Sequence, residues 1–136
     1  MKELIEMTEL AVRVLRSNPD APAVDQVRVR GSHHTGQVLS FELVRELKLR
    51  DVVLAIAAWA VALDTTVTVV DLRTYGAVEI GAYTEIDGRK VRVTTALCQE
   101  NLDLLMALTG AERGQETVSF NPVALQTMFS VTAVTV

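Results

Sequence analysis

An α+β domain, with helices packed on one face of an antiparallel sheet, is the fold this sequence predicts. Three observations lead there. Several segments rich in Val, Ile and Thr alternate apolar and polar residues as half-buried strands do. Asp87-Gly88 stands between two of them, and this dipeptide marks a tight hairpin because a type I′ turn needs positive φ at both positions. Between the strands lies VVLAIAAWAVAL, residues 52–63, an uninterrupted apolar run bracketed by Asp51 and Asp64 that reads as a central helix.

Residues 2–16 form the first predicted helix, since Leu4, Met7, Ala11, Val14 and Leu15 recur at three- and four-residue spacing. Pro19 and Pro22 break it, making 18–25 a linker between the helix at 1–17 and a body at 26–136 within a single domain. QVRVR (26–30) and VLSFEL (38–43) follow as two strands around a turn at 31–37, with Leu39, Phe41 and Leu43 on one face. Residues 44–49 fit either a strand extension or a helix start. Asp51 is the expected N-cap of the 52–63 helix.

Strands are expected at 65–72, 77–86 and 89–97, then a helix at 99–108 with Leu102, Leu105 and Met106 inward and Gly110 just past its end. TVSF (117–120) is a short strand. Asn121-Pro122 opens a short helix as N-cap and first helical residue, and the valine-rich tail 131–136 could pair as a last strand. Without the first helix and first strand, this order matches a ferredoxin-like, split βαβ sandwich.

The 52–63 helix raises a question of cover. Val52, Ile56, Trp59 and Leu63 share the face expected on the sheet, while Ala55, Ala58 and Ala62, flanked by Leu54 and Val61, form a second stripe. A two-layer sandwich covers only the first face. The N-terminal helix, the apolar tail or a second copy of the chain could cover the other.

Composition bounds the function classes. The chain has 136 residues, 49% hydrophobic and 22% charged, which is ordinary for a folded domain. A net charge of −4 weighs against a dedicated nucleic-acid binder, although Arg28, Arg30, Arg45, Lys48 and Arg50 face only Glu42 and Glu46 within 26–50. The apolar run is too short to span a bilayer, and Glu3, Glu6 and Glu9 do not suit a signal peptide. One cysteine permits no internal disulfide, so a reducing, cytoplasmic setting is expected.

Local chemistry is sparse. His33 and His34 are the only histidines, and a metal site needs three or four converging ligands, so no metal or cofactor is expected. Cys98, followed by Glu100 and Asp103, reads as a small core residue rather than a nucleophile. Glu79, Glu85 and Arg92 read as a solvated strand face. No catalytic triad spacing, dinucleotide fingerprint or phosphate loop is present, which points away from an enzyme.

The expectation is therefore a non-enzymatic interaction or assembly module, a homo-oligomer or the docking site of a protein partner. Leu54, Ala55, Ala58, Val61 and Ala62 form the expected contact stripe, and Val131, Val134 and Val136 an expected β edge. The rival is a small-ligand domain or small enzyme with a site by the Gly31–Gly36 loop, using Arg28, Arg30, His33 and His34 for an anion.

Overall fold

The computed structural model describes residues 1–32, 36–72, 77–112 and 114–131. Ten elements follow in order: α1 (Lys2–Ser17), β1 (Val24–Ser32), β2 (Gly36–Leu43), α2 (Leu49–Ala62), β3 (Val67–Leu72), β4 (Ala77–Ile86), β5 (Arg89–Ala96), α3 (Gln99–Thr109), β6 (Thr117–Phe120) and α4 (Pro122–Ser130). The class is α+β, as expected.

The six strands form one sheet in the order β1-β2-β5-β4-β3-β6. This corrects the expected topology twice. The sheet is mixed, because β2 runs parallel to β5 while its other neighbours are antiparallel. The order is also not ferredoxin-like, since β6 joins the far edge beside β3. The β3–β4–β5 meander explains both. It returns from β3 until β5 meets β2, and this leaves the open edge of β3 as the place where β6 docks.

Alternation sorts the side chains to two faces. Leu39, Phe41, Val91, Val93, Ile80, Ala82, Val67 and Val69 are buried on one face. α2 lies along β3, β4 and β5 on that face, and Trp59 stacks on Phe41 with ring centroids 6.3 Å apart. α1 lies on the same side. Its Glu6 pairs with Arg89 and its Arg13 with Asp87, and Arg89 shares the face of Val91 and Val93. Met7, Leu10, Ala11 and Val14 of α1 are buried, whereas Leu4 and Leu15, expected inward, are exposed.

Helix α2 begins at Leu49, three residues before the apolar run. Lys48 occupies the N-cap position without a side-chain cap, and Asp51 falls in the first turn, so the expected Asp51 cap is not formed. A carboxylate there still faces the positive end of the helix dipole. Val52, Ile56 and Trp59 are buried as expected, but so are Val53, Ala57 and Ala60 on the next flank. The cover on this second flank comes from α4, which lies along α2 and was not among the three covers expected. Small Ala57 and Ala60 let a neighbouring backbone come close.

Turn and cap chemistry is where the sequence is most direct. Asp87 and Gly88 both have positive φ (53° and 75°), as the β4–β5 hairpin requires. Asn121 accepts a hydrogen bond from the Ala124 amide at 3.0 Å and caps α4, with Pro122 at its first position.

Candidate interaction surfaces

Three features remain after the core is formed: the outer side of the helical layer, the helix-free face of the sheet, and the loop expected to bind anions.

On the outer side, the expected stripe of α2 is the least covered part of that helix. Leu54, Ala55 and Ala58 are half-buried, and Val61 and Ala62 are exposed. None of these positions is ionisable, and neither is any other residue from Val52 to Leu63. α4, which lies along α2, also exposes apolar residues. Its Val123 and Met128 are exposed, and Val131 at its C-cap is 52% exposed. No charged residue occurs anywhere after Glu116. Val123 and Met128 were missed in the sequence, although the uncharged run 117–136 was a usable signal. Val134 and Val136 lie outside the described residues.

The helix-free face carries a polar layer. Register places Arg28, Ser40, Arg92 and Tyr83 side by side across β1, β2, β5 and β4. Arg92 Nε donates to Ser40 Oγ at 3.1 Å, and Tyr83 Oη donates to Glu79 Oε2 at 2.6 Å. Gly81 lies between Glu79 and Tyr83 on this face, and its missing side chain leaves the room that the Tyr83 ring occupies. Glu79 and Arg92 thus sit on the water-facing side, in line with a solvated strand face.

Burial, first, and then the hydrogen bond and charge of Glu79 hold the Tyr83 phenol well above the usual tyrosine range, with Arg92 offsetting part of this. The unfolded chain therefore loses this proton first, from about pH 10, so stability is fully present below that pH and falls above it. A single group gives a slope of at most about 1.4 kcal/mol per pH unit, reduced by the part of the ring water reaches. Urea midpoints measured from about pH 9 to about pH 11 should fall less steeply for Tyr83→Phe than for the wild type. Parallel curves would remove Tyr83 as the cause.

Of the four expected anion-site residues, two lie among the described residues. Arg28 and Arg30 project from β1 on the helix-free face, each 3.7 Å from the same Glu42 oxygen, and His33 and His34 lie outside the described residues. Cys98 corrects the expectation of a core thiol. Leu97 takes the core position after β5, and Cys98 turns outward, exposed, at the N-cap position of α3. Among the described residues, no three His, Cys, Asp or Glu side chains gather as a metal site. No helix among them is long and apolar enough to cross a membrane.

Comparison with protein-family models, with curated proteins and with solved structures finds no match to this chain.

Proposed function

We propose that this protein is a non-enzymatic assembly module whose occupant, on the outer surface of α2 and α4, is a second copy of the same chain. One observation carries the reading. The apolar stripe keeps Leu54, Ala55 and Ala58 only half-buried and Val61 exposed, and the helix laid along α2 is uncharged too. Depletion of charge, more than hydrophobicity in bulk, distinguishes the centre of an interface from ordinary surface. A neutral patch is also self-complementary, because a two-fold axis brings no like charges together at its centre. The alanines let two α2 helices approach closely, with Leu54 and Val61 filling the flanks.

The exposed stripe of α2 alone is about 12 Å long, too small for a stable dimer of standard size. Val123 and Met128 of α4 supply the further area. The single cysteine suits a reducing compartment, and a cytoplasmic location forms part of the proposal.

Absolute mass by light scattering over a concentration series tests it. The wild type should read as a dimer or larger species. Ala58→Arg should read smaller while its circular dichroism spectrum and urea midpoint stay the same, since the site is already half-exposed. A wild type that is monomeric throughout the series would sink the reading.

A further inference from the structure

Helix α1 is apolar on two faces, and the chain buries only one of them. Met7, Leu10, Ala11 and Val14 belong to the core. Met1, Leu4, Ile5, Val12 and Leu15 are exposed, Ile5 at 56%. At about 100° per residue, these bare positions centre about a third of a turn away from the buried ones. The six charged residues of the helix, Lys2, Glu3, Glu6, Glu9, Arg13 and Arg16, all fall outside the bare face. Two of them tie α1 to its own body, Glu6 through Arg89 and Arg13 through Asp87.

The bare face also has a spacing of its own. Met1, Ile5, Thr8, Val12 and Leu15 follow one another at steps of four, three, four and three residues. These are the steps of a coiled-coil seam, with Ile5 and Val12 at the a positions and Met1, Thr8 and Leu15 at d. β-Branched residues at a and leucine at d favour two parallel strands. Thr8 is the one polar member, and its hydroxyl already donates to the Leu4 carbonyl at 2.7 Å, so covering it strands no donor. Lys2, Glu9 and Arg16 take the e positions beside the seam, and Leu4 and Ala11 the g positions. Antiparallel pairing sets e against e, so Glu9 would meet its own copy and Lys2 would meet Arg16. Parallel pairing sets e against g and brings no like charges together.

We propose that the bare face of α1 is a second docking surface, and that its occupant is α1 of another copy of this chain, the two helices running parallel about a two-fold axis. This goes beyond the surface on α2 and α4, since it uses another helix and other residues. The seam is about 21 Å long, too short to hold two free peptides together as helices. Here α1 is already ordered by its buried face, so association need not form the helix. A chain with two separate two-fold contacts assembles beyond the dimer.

Ala58→Arg isolates this surface, because it removes the contact through α2. The mass of that variant by light scattering should rise toward two chains at concentrations up to about 1 mM, as suits a contact below standard size. Adding Ile5→Lys should hold it at one chain with an unchanged circular dichroism spectrum, since Ile5 is already exposed. Leu15→Cys in a Cys98→Ala chain should form a disulfide between two copies on mild oxidation, because residue 15 meets itself only in a parallel pair. An Ala58→Arg variant that stays a single chain throughout overturns the proposal and leaves the reading of α2 intact. A mass that Ile5→Lys does not lower, or a Leu15→Cys chain that does not cross-link, overturns it too. If Ala58→Arg keeps the wild-type mass and Ile5→Lys alone lowers it, the reading of α2 fails and the α1 contact stands.

Discussion

Trp59→Ala should be the most damaging single substitution tested, costing about 3–5 kcal/mol. Trp59 is 1% exposed in the last turn of α2 and joins three parts of the molecule. Its ring stacks on Phe41 of β2 at an interplanar angle of 19°, which ties the helix to the sheet. Its indole Nε1 donates to the Pro22 carbonyl at 2.9 Å, which ties the same helix to the segment between α1 and β1. Truncation would leave a cavity bounded by elements that cannot all collapse together, and would leave that carbonyl without its donor. Measured at its midpoint, the loss corresponds to a melting temperature roughly 12–20 °C lower.

Because Trp59 is the chain's single tryptophan, the comparison needs circular dichroism rather than fluorescence. Trp59→Phe separates the two contributions. It keeps a ring against Phe41 and removes the N–H, so it should cost clearly less than alanine. Equal losses for the two variants would mean that the hydrogen bond to Pro22, and not the packing, dominates.

Gly81→Val should be the next most damaging, at about 3 kcal/mol. A Cβ at Gly81 would stand 2.7 Å from Thr94 Cγ2, 2.8 Å from the Val93 carbonyl oxygen and 3.2 Å from Tyr83 Cε2. A flexible side chain could swing away, but the carbonyl belongs to the ladder between β4 and β5 and cannot move without parting the strands. Valine has a higher β propensity than glycine, so propensity by itself predicts that this change stabilises. The two arguments have opposite signs, and a chemical-denaturation curve decides between them. A gain in stability would mean that β4 and β5 separate easily at Gly81. Tyr83 should register the change too, because its ring would lose its place over residue 81.

The sequence was most informative where structure depends on a few neighbouring residues. The β4 and β6 boundaries, the Asp87-Gly88 turn and the Asn121 cap all agree with the expectation. Each rests on local chemistry: alternation, positive φ, or one side chain bonded to an amide three residues on. The inward faces of β2 and α3 were readable for the same reason. Helix α2 was less so at its start. The apolar pattern begins at Val52, while Leu49 and Arg50 join the helix because Leu49 is drawn fully into the core.

The surfaces divide along the same line. The Leu54–Ala62 stripe was visible because helical periodicity sorts residues to faces even when every residue is apolar. A cleft lined by Thr94 was not visible. Asp25, Glu42, Arg45, Glu79 and Thr94 come from four strands and a loop, and nothing in their spacing along the chain shows that they meet. Thr94 in particular reads as an ordinary strand threonine until its burial is known.

The sequence by itself determined the elements, the apolar faces of β2 and α3, and the absence of charge along α2 and after Glu116. Those are properties of short windows, set by backbone sterics and residue type. Only the tertiary structure decided that β5 pairs with β2 in parallel, that β6 goes to the edge of β3, and that α4 lies along α2. Strand order has no local signal, because the edge of one β-strand offers the same backbone groups as the edge of another. Which partner wins depends on the burial achieved by the whole arrangement.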